Sequence, residues 1–248
     1  MTIAVAFDPA VAARVFSAVA RRFRHGEPST YLYIGAKLRR DPVHIDILAL
    51  AAVAPMGHVL DLGCGRGQLG ITLLEAGLAK SVTGCDRNPN HVARATRAGQ
   101  GLAFTAHTHD LTGPTPLPLA DTVLMIDVLY QLPANSQQDV LQRAAAAGKR
   151  LLIRTVDPGQ GARSGLTRLV EVLTRRISPN AGSHVNPMPI AVIVRTLHDC
   201  GFHTTEVPCR RGTPFSNVLL DAHRAAMPDA RGSITTALRS APPAVATP

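Results

Sequence analysis

The stretch DLGCGRGQLG, Asp61 to Gly70, decides how this chain folds. It completes the short apolar run GHVL and carries glycines at 63, 65, 67 and 70. A short apolar run that ends in glycine reads as a buried strand. The helical pattern GQLGITLLEAGL comes directly after it. A strand, a glycine turn and a helix in this order let a backbone approach a nucleotide-like ligand closely, because glycine has no Cβ. Gly65, Gly67 and Gly70 spell G-x-G-x-x-G, the dinucleotide pattern, but the glycines alone leave the ligand open.

Downstream, KSVTGCD, LAFTAHTHD, ADTVLMIDVLY and KRLLIRTVDP read as strands. NPNHVARATRAG and NSQQDVLQRAAAAG between them read as helices. After Pro158 come two helical patterns, GLTRLVEVLTRRI and PIAVIVRTLHDCG. Two strands follow, FHTTEVPC and FSNVLLDAHR, joined by RRGTP. Alternating strands and helices imply right-handed βαβ units, and the final hairpin reverses one strand. The fold class is α/β: a Rossmann-like, doubly wound, seven-stranded sheet, mostly parallel with one antiparallel strand.

Upstream, apolar residues at Phe7, Val11, Val15, Val19 and Phe23 recur every four positions and predict a basic amphipathic helix from Phe7 to Arg24. HGEPSTYLYIG reads as a break and connector. A second helix is expected from Asp41 to Ala54, with Asp41 as N-cap and Pro42 at its first position. Residues 1–54 are thus a helical lid or extension, 55–225 the ligand-binding domain, and 226–248 a Pro-, Ala-, Ser- and Thr-rich tail expected to be disordered.

The 248 residues and 46% hydrophobic content suit one such domain with additions. Aromatic residues are 4% and Trp is absent, which speaks against a base-stacking platform. The four cysteines form no C-x-x-C pair, so a zinc or redox motif is not expected and a reduced, cytoplasmic chain is. No apolar run reaches transmembrane length, and the start does not read as a signal peptide. The net charge of +9 favours an anionic partner, or is simply a solvated basic surface.

Two carboxylates narrow the ligand. Asp86 lies 23 residues after Gly63 at the end of the next strand, where a carboxylate meets ribose hydroxyls. Asp61 stands directly before the glycines. It would repel a pyrophosphate but attract the sulfonium and ammonium of S-adenosylmethionine (SAM).

At this point the sequence resembles a family. VLDLGCGRGQLG resembles the first motif of class I SAM-dependent methyltransferases, and VTGCDRNP the second. THDL, DTVLMIDVLYQLP and KRLLIRTVDP resemble the later motifs, in order, over residues 41 to 222. The resemblance implies that Asp61, Gly63, Gly65, Gly67, Asp86, Arg87, Asp110, Leu111 and Asp127 bind SAM, with Asp110 at the adenine amino group. STYLYIGAKLRRDPV also resembles methyltransferases of aryl-polyene-type pigment clusters. That implies secondary metabolism and a phenolic or acyl acceptor, carried on an acidic acyl carrier protein or free.

Methyl transfer needs a base only where the acceptor must lose a proton. His184, in SHVNPMP, is the first candidate base. Asp127 and Tyr130 lie at the carboxyl end of the fourth strand and either contact the acceptor or cap and pack there. Tyr31, Tyr33 and Lys37 either form a lid over the cofactor or pack between helices. Arg154 either binds an acceptor carboxylate or points to solvent. His107 and His109 alternate on a strand beside Asp110 with no fourth ligand at a telling spacing, so no metal is expected. The expected function is O- or C-methylation of a small-molecule or carrier-bound acceptor. The alternatives are methylation of nucleic acid, supported by charge alone, and a non-catalytic SAM-binding protein.

Overall fold

A computed structural model describes residues 7–24, 28–156, 186–209 and 217–224. Seven strands form one sheet in the order β3-β2-β1-β4-β5-β7-β6. They are β1 His58–Leu62, β2 Ser81–Asp86, β3 Phe104–Thr108, β4 Thr122–Ile126, β5 Arg150–Val156, β6 Phe202–Pro208 and β7 Asn217–Arg224. β1 to β5 pair in parallel, and β7 runs antiparallel to both β5 and β6. The doubly wound sheet with a reversed strand is therefore the one the sequence predicts.

Helices cover both faces. They are α1 Pro9–Arg22, α2 Pro28–Arg40, α3 Val43–Val53, α4 Gln68–Glu75, α5 Pro89–Ala98, α6 Ala134–Ala147 and α7 Ile190–Asp199. Alternation along the strands divides two cores. Val59, Leu124 and Leu152 face the core that α1 to α5 complete. Leu60, Val123, Met125, Leu151 and Ile153 face the core with α6 and α7. Phe16, Val19, Ile34, Leu38, Ile47 and Leu48 belong to the first core, so α1 to α3 share one apolar interior with the sheet.

Three local expectations change. The connector at 25–35 is mostly helix: α2 begins at Pro28, whose fixed φ suits a first position. Ile34 and Leu38, four apart, bury its inner face. Lys37, Arg39 and Arg40 complement the dipole at its end. The fourth strand stops at Ile126 rather than Tyr130. Asp127 has φ 59°, the sole positive φ at a non-glycine among the described residues, and a 3-10 turn follows over Leu129–Gln131. α3 begins at Val43 with Pro42, not Asp41, at the cap position, though Asp41 Oδ1 still accepts the Val43 N–H at 3.2 Å. The tail at 226–248 lies outside the described residues.

The helical layer is tied to the sheet by charge. Arg22 of α1 reaches Glu75 at 2.5 Å and donates to the carbonyls of Ala98 and Gln100. Arg150 of β5 is buried and makes a two-pronged pair with Asp221 at 2.9 and 2.8 Å. Its third nitrogen donates to the Ala54 carbonyl at 2.9 Å, where α3 ends. Replacing Arg150 by Met leaves the buried Asp221 with only the exposed His223, 3.0 Å away, as an ionic neighbour among the described residues and is expected to destabilise by about 3 kcal/mol. The urea midpoint should fall with an unchanged slope, and Arg150→Met with Asp221→Leu should recover most of the loss.

Candidate functional site

The site lies at the carboxyl ends of β1, β2, β4 and β5. The Gly63 and Cys64 N–H groups both donate to the Cys85 carbonyl, at 2.8 and 3.0 Å, which pins the turn to β2. Gly63, Gly65 and Gly67 all have positive φ. A Cβ at Gly63 would come within 2.6 Å of Val128, so this glycine lets the turn after β4 pack against it. A Cβ at Gly65 would meet nothing within 4 Å. The turn is therefore open where a ligand would approach and closed elsewhere.

Asp86 ends β2. Its Oδ2 accepts the Gly65 N–H at 2.8 Å and its Oδ1 accepts the Asn88 N–H at 2.8 Å. Burial acts to raise it, but His91 and these two N–H groups outweigh burial and hold it below the ordinary carboxylate value. It stays ionised, with lone pairs left for hydroxyl donors.

Asp61 is the opposite case. It is buried at 3% exposure, and its Oδ2 has no hydrogen-bond partner. Burial pushes the carboxyl up to about 7, Asp86 adds to the rise, and Lys37 opposes it. An unpartnered buried carboxylate beside an open glycine turn suits a cationic ligand and repels a phosphate. These residues fit SAM: Asp61 for its cationic end, the turn for close approach, and Asp86 for the ribose. Arg87 is exposed, and Leu111 is buried beyond β3. Asp110 spends its Oδ1 on the Thr112 N–H and hydroxyl, which hold it below the usual range.

Asp127 follows β4 and is clamped on several sides. Its N–H donates to the Arg154 carbonyl at 3.2 Å. Its Oδ2 lies 3.3 Å from an Arg154 nitrogen, and the Tyr130 hydroxyl hydrogen-bonds its carboxylate. Gln131 donates to its carbonyl. Burial raises the carboxyl despite Arg154 and Lys37. Burial and the neighbouring Asp127 likewise push the Tyr130 phenol well up, so it keeps its proton. Arg154 does not point to solvent: it is 4% exposed and bonds Asp41 at 2.7 Å.

From α2, the Tyr33 ring lies 4.9 Å from the Arg66 guanidinium, so the helix reaches the glycine turn. Tyr31 and Lys37 are half-buried on the same helix, and the Lys37 charge is felt by Asp41, Asp61 and Asp127. His184 lies outside the described residues. The Asn186 N–H donates to the Tyr130 carbonyl at 2.9 Å, so the chain comes back to this edge. Among the described residues, no three His, Cys, Asp or Glu are grouped to hold a metal. Sequence reasoning missed Asp41 as the partner of Arg154. The signal available was parity: Arg154 falls on the face of Leu152, under the N-terminal helices.

Residues 59–150 match the methyltransferase domain family. A trans-aconitate 2-methyltransferase of Methylobacterium nodulans is 32% identical over 113 residues, covering 45% of this chain and 43% of that one. One from Mycobacterium sp. strain KMS is 27% identical over 194 residues, covering 77% and 74%. The magnesium protoporphyrin IX methyltransferase of Synechocystis PCC 6803, solved with bound S-adenosylhomocysteine (SAH), superposes with a TM-score of 0.58. It is 22% identical and covers 88% of this chain and 100% of its own, a likeness of fold.

The state of Asp61 has a measurable sign. A carboxyl raised to about 7 binds its proton more tightly folded than unfolded. Its stabilising share is complete below the unfolded value near 4 and is lost as pH rises through 7. Ligand-free Asp61→Asn is therefore expected to be more stable than the parent at pH 8, by up to about 4 kcal/mol, and equal to it near pH 4. Chemical unfolding across that range checks it. With its glycine turn, its two opposed carboxylates and the match over 59–150, this chain carries a methyltransferase domain whose site fits S-adenosylmethionine.

Proposed function

We propose that the chain transfers a methyl group to an oxygen of a small acceptor that is already anionic, a carboxylate above all. SAM supplies an electrophilic methyl, and the protein's part is to align the acceptor with it. The observation that carries the reading is the pairing of Tyr130 with Asp127. The phenol keeps its proton, and the carboxylate is shared between that phenol and Arg154. Tyr130 keeps its proton and Asp127 is already paired with Arg154, so neither is a free general base. A phenol or alcohol would need such a base, whereas a carboxylic acid is ionised above about pH 4 by itself.

Arg154 is already paired with Asp41 and Asp127, so Lys37 is the positive charge at this edge that favours a carboxylate. Two relatives are named for trans-aconitate, itself a carboxylate. Asp61, Gly63, Gly65, Gly67, Asp86, Arg87, Asp110 and Leu111 are proposed to bind the cofactor. Tyr31, Tyr33, Lys37 and Tyr130 would frame the acceptor, with His184 the candidate base for a protonated one. No described helix is long and apolar enough to cross a membrane. The four free cysteines suit a reducing compartment, and we place the chain in the cytoplasm. A second reading, an acyl acceptor on an acidic carrier protein, is favoured by exposed Arg14, Arg21 and Arg24 on the α1 side and Arg39 and Arg40 on α2.

The test is an acceptor panel with SAM at saturation: trans-aconitate and other di- and tricarboxylic acids, phenolic acids, and an acylated carrier. Product esters are read by mass spectrometry. A base-labile methyl ester is expected, formed at a rate flat between pH 6 and 9. Tyr130→Phe should keep kcat within about tenfold, whereas loss of a general base costs about 10²–10⁴-fold. A phenolic ether as sole product, or a Tyr130→Phe loss in that larger range, overturns the reading.

A further inference from the structure

Arg154 stands between two carboxylates that are far apart in the chain. Its guanidinium is 4% exposed and sits on the face of the sheet that α1 to α5 cover. One nitrogen, Nη1, meets Asp41 Oδ1 at 2.7 Å and Asp127 Oδ2 at 3.3 Å. Asp41 belongs to the junction of α2 and α3, and the same oxygen accepts the Val43 N–H at the head of α3. Asp127 is the residue at φ 59° after β4. An L-residue in that conformation is strained unless its surroundings hold it.

Three consequences hang on Asp127 staying there. Val128 packs into the space that Gly63 leaves empty. Tyr130 keeps its hydrogen bond to the carboxylate. Gln131 reaches back to the Asp127 carbonyl. A guanidinium can serve two carboxylates at fixed angles, while an ammonium is a point charge on a flexible stem.

We propose that Arg154 and Asp41 are positioning residues: anchored to the α2–α3 junction by Asp41, Arg154 holds Asp127 in its left-handed conformation and so sets the packing of the β4 turn on the glycine turn. The N-terminal helices and the cofactor site are thereby coupled through one buried side chain. The inference rests on Asp127 and the glycine turn serving the SAM site, and not on which acceptor is methylated.

The test uses the full chain and SAH, titrated by calorimetry, so that no turnover is needed. Four proteins form a double-mutant cycle: parent, Asp41→Asn, Asp127→Asn and the pair. If Arg154 couples the two carboxylates, the pair weakens SAH binding at least threefold less, or more, than the product of the single effects. Arg154→Lys is the second probe. It keeps the charge and is expected to weaken SAH binding about 5- to 20-fold while each protein still melts cooperatively. Additive effects in the cycle overturn the proposal. So does SAH affinity within twofold of the parent in all variants, whatever happens to their melting temperatures. A parent that binds SAH but methylates no carboxylic acid overturns the acceptor reading and leaves the coupling standing.

Discussion

Arg154 is buried between Asp41 and Asp127, and the geometry of the site follows from that burial. A guanidinium taken out of water must find its compensation nearby, and removing one partner leaves an uncompensated charge. The sheet alone supplies Asp127. The N-terminal helices supply Asp41 across a sequence distance of 113 residues. Desolvation fixes where the helical layer must sit, because any other placement leaves the arginine short of a carboxylate.

The same logic recurs at the other end of β5. Arg150, on the same face, is matched by Asp221 from β7 and by the carbonyl that ends α3. Two arginines four residues apart on one strand thus staple the beginning and the end of α3 to the sheet. Between them Leu152 joins the apolar core of that face. Packing supplies the adhesion of this layer, and the two charges supply its registration. A purely apolar interface would bury as much surface but would tolerate sliding.

Most of the fold was legible because its signals are local. Strand runs, glycine turns and helix caps each follow from a few neighbouring residues. The antiparallel edge was readable from two strands joined by a short turn. The left-handed Asp127 was not, because ADTVLMIDVLY is apolar throughout and nothing in its period marks where the strand stops. Helix α2 was missed because tyrosines and a glycine weaken its propensity, and the burial of Ile34 and Leu38 decides it. The cofactor turn was legible through the sign of one charge, Asp61. The role of Arg154 was not, since its partners are set by tertiary packing rather than by spacing.

The two sides of the site differ in how their carboxylates are satisfied. Asp86 is fully ionised because backbone N–H groups already point at it. Asp61 is left with an empty oxygen, so folding raises its affinity for a proton. A cationic ligand can replace that proton, and folding has then stored in Asp61 a preference that the ligand redeems. Asp127 is raised by burial as well, but Arg154 pairs with it at 3.3 Å and opposes the rise. The turn after β4 therefore holds a carboxylate already paired with an arginine, while the strand before the glycine turn holds one with an unmet oxygen.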